Sequence, residues 1–363
     1  MMHPRPSPIA ASLYTLRDMN TDVIIMHGPK GCCFRTSRLL ESDGVRVVTS
    51  GMSENDFILG ASEKLEETIV EAYEKFNPKL MGIVGTCASM IIGEDLESAI
   101  ENLDLDCRII PVETHAGLGE GDNTEGAILV LKRAVEYGVI TEQEANRQIK
   151  MLEMATQVEK TRGMAQGKYV KPNFGDNKEK IASIIVRAIK ENKKVAFVLN
   201  VKKETSYLFA DILNFDYRKI NPNNKPLFIG NLSEDIGLAR IRQHAKNVKN
   251  DLKEQSDVEF DYITGGLDEY PIAADKALEI LKSENPDLVV VAGVPHALKI
   301  EEINAESIAV TDGPRLVEAL REDGFNHVVA ELDAHSKTLG VNTIVDADFA
   351  MMIRSTIDWE NEK

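Results

Sequence analysis

Short apolar runs alternate with longer amphipathic ones along most of the 363-residue chain. The runs DVIIM (22–26), VRVVTS (45–50), LMGIVGT (80–86) and RIIPVE (108–113) are short and rich in β-branched residues. Continuous runs of this kind predict parallel strands buried on both faces. Between them lie helical patterns, as in residues 62–77, where Leu65, Ile69, Ala72, Tyr73 and Phe76 form one apolar stripe. The rhythm breaks at 124–162, which reads as helix throughout, and then at 162–177, a Gly-, Lys- and Asn-rich stretch that reads as an interdomain connection. It resumes with KVAFVLN (194–200), KPLFIGNL (225–232) and FDYITGG (260–266). A last group comprises DLVVVAGVPHAL (287–298), SIAVTDG (307–313), HVVAELD (327–333) and NTIVD (342–346), closing on FAMMIRSTI (349–357), in which Met351 and Met352 read as core. The expected fold is α/β, with three Rossmann-like units of parallel sheet at 1–165, 180–285 and 286–363.

Composition narrows the class. A chain 43% apolar and 28% charged is a globular protein. No run of about eighteen uncharged apolar residues predicts a membrane span, and the N-terminus has no long apolar signal-peptide core, so the expected location is the cytoplasm. A net charge of −17 argues against a nucleic-acid partner, which would need clustered Lys and Arg. The basic clusters at 189–195 and 200–204 read as solvated helix ends and loops. Four cysteines are too few for a disulfide framework, which leaves core residues, reactive thiols or metal ligands.

Several nucleotide and hydrolase motifs are absent. No G-x-G-x-x-G follows a strand, and there is no C-x-x-C, H-E-x-x-H or G-x-S-x-G. GMAQGKY (163–169) is one residue short of a phosphate-binding loop, has Tyr169 where Ser or Thr should stand, and follows a helix. ATP is therefore not expected on this chain.

Two cysteine segments remain. Cys32 stands in HGPKGCC after the first strand, and Cys87 in GTCASMIIGEDL after the third, where open α/β sheets place their ligands. Small neighbours (Gly28, Gly31; Gly85, Thr86, Ala88, Ser89) would let backbone approach an inorganic cluster, and soft thiolates suit iron–sulfur clusters, zinc or copper(I). A cysteine near a strand end can equally be a small core hydrophobe. Cys107, on the way into a strand, is read that way, and Cys33 stays open.

Together, HGPKGC (27–32) and TCASMIIGEDL (86–96), in that order and with their cysteines fifty-five residues apart, resemble the nitrogenase component-1 family. That family spans the nitrogenase α and β chains, their cofactor-assembly relatives and the N and B chains of dark-operative protochlorophyllide reductase. The resemblance implies that Cys32 and Cys87 are cluster ligands. Most family chains carry a further ligand cysteine upstream, and residues 3–18 here contain none. The resemblance then implies a 4Fe–4S cluster shared across a homodimer, two thiolates from each copy. No counterpart of the iron–molybdenum cofactor ligands is found. Length and cysteine count fit the branch that resembles the methanogen reductive cyclases of nickel sirohydrochlorin a,c-diamide. The implied activity is a six-electron reduction with γ-lactam closure, giving seco-F-430 acid on the route to coenzyme F-430. The nickel tetrapyrrole is the substrate, and electrons come from an ATP-dependent, nitrogenase-reductase-like iron–sulfur partner. The alternative is a family scaffold for metallocluster or cofactor assembly without turnover.

Tetrapyrrole reduction needs protons, and three histidines follow apolar strands. His115 lies in a glycine-rich loop with Gly117, Gly119 and Gly121, which either admits substrate or is an ordinary helix approach. His296 and His335, the latter two residues after Asp333, are the other candidate catalytic groups. His27 is expected to orient the cluster turn, with Gly28, Lys30 and Gly31 beside the cofactor. Lys30, Arg35 and Arg38 would salt-bridge, face a partner or meet substrate carboxylates. Glu94 and Asp95 read as the start of a helix, where carboxylates suit the dipole.

Overall fold

The computed structural model describes residues 7–32, 34–101, 103–114, 122–161, 169–268 and 274–362, with side chains of the helix ending at Thr161 described as far as Gln157. The chain divides into two compact units, residues 1–157 with 238–240, and residues 158–237 with 241–363.

The first unit runs α1 (Pro8–Asp18), β1 (Val23–His27), α2 (Phe34–Ser42), β2 (Arg46–Thr49), α3 (Asp56–Leu59), α4 (Ser62–Phe76), β3 (Leu80–Gly85), α5 (Cys87–Ile91), α6 (Ser98–Glu101), β4 (Arg108–Val112), α7 (Asn123–Glu136) and α8 (Glu142–Thr161). Its sheet is wholly parallel in the order β2-β1-β3-β4. The stripe predicted on α4 packs on one face: Leu65, Ile69 and Ala72 are buried with Val23, Ile25, Met81 and Ile83, and Tyr73 and Phe76 cover them. On the other face α1 reaches so close to β3 that a Cβ at Gly82 would stand 2.6 Å from Leu16. Helices on both faces explain why β1, β3 and β4 are continuously apolar and buried along nearly their whole length, whereas β2, expected to be buried as well, lies at the sheet edge with no residue buried. On the edge strand β4, Pro111 aligns with Ile83, and its carbonyl accepts the Arg133 Nε–H at 3.2 Å.

The second unit contains α9 (Lys178–Lys190), β5 (Val195–Asn200), α10 (Ser206–Ala210), β6 (Leu227–Gly230), α11 (Ala239–Ser256), β7 (Tyr262–Ile263), α12 (Ala274–Glu284), β8 (Leu288–Gly293), β9 (Glu306–Thr311), α13 (Val317–Glu322), β10 (His327–Ala330), α14 (Ala334–Lys337) and α15 (Asp348–Asn361). Its six strands form one parallel sheet, β10-β9-β8-β5-β6-β7. The sequence suggested separate units at 180–285 and 286–363. Instead β8, from the later stretch, pairs with β5 from the earlier one along six residues, from Val195 opposite Leu288 to Asn200 opposite Gly293. The boundary expected at 285/286 is a change of side in one sheet rather than a new core.

Two smaller expectations also change. Residues 342–346 form no strand; their amides bond elsewhere, Ile344 N–H to Asp251 Oδ2 at 2.8 Å and Val345 N–H to the Tyr207 carbonyl at 3.2 Å. Met351 is exposed and Met352 half-buried, because α15 turns Phe349, Ile353 and Ile357 inward at intervals of four. Among the described residues no helix is long and apolar enough to cross a membrane.

Candidate metal centre

In the first sheet the chain passes from β1 to β2 on one side and reaches β3 on the other. The point where strand order reverses therefore lies between the carboxyl ends of β1 and β3, the general ligand position of open α/β sheets. His27 ends β1 opposite Gly85, which ends β3. Cys32 follows in the turn after β1, and Cys87 opens α5 just after β3. Both are half-buried. The sequence placed both thiols at strand ends; the fold adds that the two strands are neighbours and flank the switch point.

The turn is built on His27. Its carbonyl receives the Thr86 N–H at 3.1 Å, the Thr86 hydroxyl at 3.0 Å and the Ser89 hydroxyl at 2.8 Å. Ser89 Oγ also accepts the Thr86 N–H at 2.9 Å, so the start of α5 and the end of β1 are tied together. His27, Thr86 and Ser89 are fully buried. The chain must pass so close here that a Cβ at Gly28 would stand 2.2 Å from Thr86 Oγ1. Gly85 is likewise filled, by Met90, whereas Gly31, at φ +87°, faces nothing within 4 Å among the described residues. Gly28 thus serves packing between the two thiol segments, and Gly31 is the glycine that leaves room.

The His27 ring is held from both sides. Nδ1 lies 3.0 Å from Ser50 Oγ, just past β2, and Nε2 lies 3.4 Å from Glu94 Oε2. Ser50 Oγ accepts the Gly28 N–H at 3.0 Å, and its own proton has two acceptors in reach, Nδ1 and, at 3.4 Å, the Gly28 carbonyl. The Glu94 carboxylate only accepts, so a hydrogen bond between the two puts the ring proton on Nε2. Burial pushes the His27 pKa below its ordinary value, outweighing the pull of the Glu94 carboxylate. Glu94 Oε1 accepts the Ala61 N–H at 2.7 Å and Oε2 the Ser62 hydroxyl at 3.0 Å, at the start of α4. Asp95 does what was expected of both carboxylates, accepting the Glu97 and Ser98 N–H groups at 3.0 Å each before α6. Glu94 and Ser50 were missed as partners of His27. The signal for Glu94 was the doubled carboxylate, of which a local helix start uses only one.

Around this edge large apolar side chains lie exposed: Phe34 after the first cysteine segment, Ile91 at the end of α5, and Phe57, Ile58 and Leu59 on α3, the last two 80% and 85% exposed. Lys30 and Arg35 are exposed, and Arg38 pairs with Glu41 at 2.6 Å as part of a solvated helix face. Cys107 sits at the opposite end of the sheet, entering β4. Burial, with Asp22 and Asp106 nearby, raises its thiol to about 11, which disfavours a metal-binding thiolate.

The remaining candidates fall in the second unit or outside the described residues. His115, Gly117, Gly119, Gly121 and Cys33 lie outside them. In the second sheet, order reverses between β5 and β8, and half-buried His296 stands just past β8 at that point. Beneath it the Val294 N–H donates to the Asn200 carbonyl at 2.7 Å, and the Asn200 amide to the Val294 carbonyl at 3.2 Å. His335 does not use Asp333; its Nε2 lies 3.3 Å from Asp312 Oδ2, past β9, and this carboxylate raises its pKa. Asp333 instead takes a left-handed conformation at the start of α14.

As a donor set, Cys32 and Cys87 suit an iron–sulfur cluster: two soft thiols at one switch point, beside an open glycine. Among the described residues no three His, Cys, Asp or Glu side chains converge to hold a metal within one chain.

A family model of nitrogenase component 1 type oxidoreductases matches residues 7–166. Component CfbD of the Ni-sirohydrochlorin a,c-diamide reductive cyclase complex from Methanothermobacter thermautotrophicus is 62% identical over 98% of this chain and 99% of its own. The components of the same name from Methanocaldococcus jannaschii and Methanosarcina acetivorans are 47% and 44% identical, covering 97% and 98% of this chain and 98% and 96% of theirs. The resemblance read from the two cysteine segments thus extends along the whole chain, which belongs to the nitrogenase component 1 type oxidoreductases, in the family of the reductive cyclase component CfbD.

Proposed function

We propose that this chain is the catalytic component of a reductive cyclase that reduces Ni-sirohydrochlorin a,c-diamide by six electrons and closes its γ-lactam ring, giving seco-F-430 acid in coenzyme F-430 biosynthesis. The observation that carries this reading is the pair of thiols at one switch point, in a chain whose relatives of that name match it end to end. Cys32 and Cys87 from each of two copies would hold one 4Fe–4S cluster. The cluster supplies one-electron transfer between an ATP-dependent iron–sulfur reductase and the tetrapyrrole. Exposed Phe34, Ile58, Leu59 and Ile91 flank both thiol segments and give a second copy an apolar surface to cover.

The chain's own residues bind, orient and supply protons. His27 holds the cluster turn, and Gly31 leaves space for the cluster. Lys30 offers a cation beside it for a substrate carboxylate or the partner. His296, at the second switch point, and His335, held by Asp312, are the proton donors in this reading, with His115 and the glycines of its loop, Gly117 and Gly119, a third candidate contact.

The test is iron and acid-labile sulfide per chain in anoxically purified protein, with its mass in solution, followed by turnover with reductase, ATP and Ni-sirohydrochlorin a,c-diamide. Two irons per chain in a dimer, and a product dependent on all three additions, are expected. A cluster that transfers to an acceptor protein, with no response to tetrapyrrole, would make the chain an assembly scaffold instead.

A further inference from the structure

A carboxylate lies buried against His27, five residues before Cys32. Glu94 has a side chain only 5% exposed, and among the described residues its partners are a histidine, a backbone amide and a hydroxyl rather than any lysine or arginine. A carboxylate is costly to bury, and it persists where several donors converge on it. These donors come from two places in the first unit. His27 Nε2 belongs to the end of β1, and through its other nitrogen the ring meets Ser50 Oγ, which accepts the Gly28 N–H. Ala61 and Ser62 belong to the segment that leaves α3. A Cβ at Gly60, at φ +90°, would stand 3.5 Å from Glu94 Oε1, so the backbone bends directly over this carboxylate.

We propose that Glu94 is a positioning residue that couples the cluster turn to the exposed apolar face of α3. Through the His27 ring it fixes the backbone of Gly28, from which the chain runs to Cys32. Through Ala61 and Ser62 it fixes the segment that presents Phe57, Ile58 and Leu59. This deepens, and rests on, the reading that two copies share a cluster at this edge. Whatever orders the turn then orders the face that a second copy covers, and the coupling is reciprocal. The relay requires the His27 proton to sit on Nε2, because the Glu94 carboxylate can only accept.

Hydrogen exchange of the whole chain tests the coupling, read on peptides spanning 24–34 and 54–66 in wild type, Glu94→Gln, Ser50→Ala and the double variant. The neighbouring Asp95→Asn, which removes only the α6 contacts, serves as control. Glu94→Gln is expected to speed exchange about tenfold in both peptides. Ser50→Ala should speed the first, and the double variant should add less than the sum. Nitrogen-15 shifts of His27 should show a protonated Nε2. In protein that holds a cluster, Glu94→Gln should shift the reduced-state electron paramagnetic resonance signal and Asp95→Asn should not. Faster exchange confined to 54–66 would make Glu94 only the cap of α4 and overturn the coupling, as would a uniform rise in every peptide. Wild-type protein without iron would sink the cluster reading, while the exchange pattern would still decide the coupling.

Discussion

At the scale of single residues, three titrating groups report different things. His27 is held below its ordinary value of 6.5 by burial. Its contribution to stability is therefore complete above that value and is lost as pH falls through the depressed folded value, because unfolding takes up a proton. The melting temperature should drop as pH falls below 6.5, and His27→Gln should flatten that dependence. His335 has the opposite sign: Asp312 raises its pKa, so its contribution is complete below 6.5 and is lost as pH rises through the raised folded value. His335→Gln should remove a decline on the alkaline side. Cys107, held near 11, stays a thiol at pH 8 and should alkylate far more slowly than a small-molecule thiol of ordinary pKa. Cys107→Ala should keep its iron, whereas Cys87→Ala should lose it.

Single residues were also where sequence reasoning reached least far. The placement of Cys32, Cys87 and His27 at strand ends was legible because each sits in a short segment whose neighbours state its setting. Ser50 and Glu94 were not, because their link runs through His27 across positions 23 and 67 residues away. His335 was paired with Asp333 on sequence proximity, yet that residue starts a helix in a left-handed conformation and Asp312 supplies the carboxylate.

At the scale of elements, the thiol edge depends on glycine spacing and the second unit on a buried carboxylate. Gly28→Ala pushes a methyl into Thr86, and overpacking of this kind costs roughly 1–3 kcal/mol. The expected result is a lower denaturation midpoint together with loss of iron. In the second unit, fully buried Glu331 follows β10. It accepts Lys178 Nζ at 2.9 Å and the Phe349 and Asp348 N–H groups at 2.7 and 3.1 Å, so it caps α15. Glu331→Ala should cost about 2 kcal/mol, read by chemical denaturation, from the lost cap and ion pair together. The strands and α4 were readable because doubly covered strands and one-sided helices leave distinct periodicities. Residues 342–346 were misread because a short β-branched run does not say whether a neighbouring strand is free to pair with it.

At the scale of the molecule, two units replace the three expected. The sequence carries strand runs but not strand order, and only order shows that β8 returns to the far side of β5. The same order makes both switch points, one bearing the thiols and the other His296. If the units open independently, denaturation should show two transitions, and chelation of iron should shift only the one belonging to residues 1–157.

One feature of the first sheet bears on how copies of this chain avoid one another. Proline has no N–H to offer a further strand, and the Pro111 carbonyl on β4 is already engaged by Arg133. That rim of the sheet is closed to strand addition, the route by which exposed edges feed fibrils. The opposite rim offers only the four residues of β2, headed by charged Arg46. Growth of this sheet by strand addition is thus discouraged on both flanks. Pro111→Val should leave the fold intact and show its effect as faster aggregation on prolonged incubation.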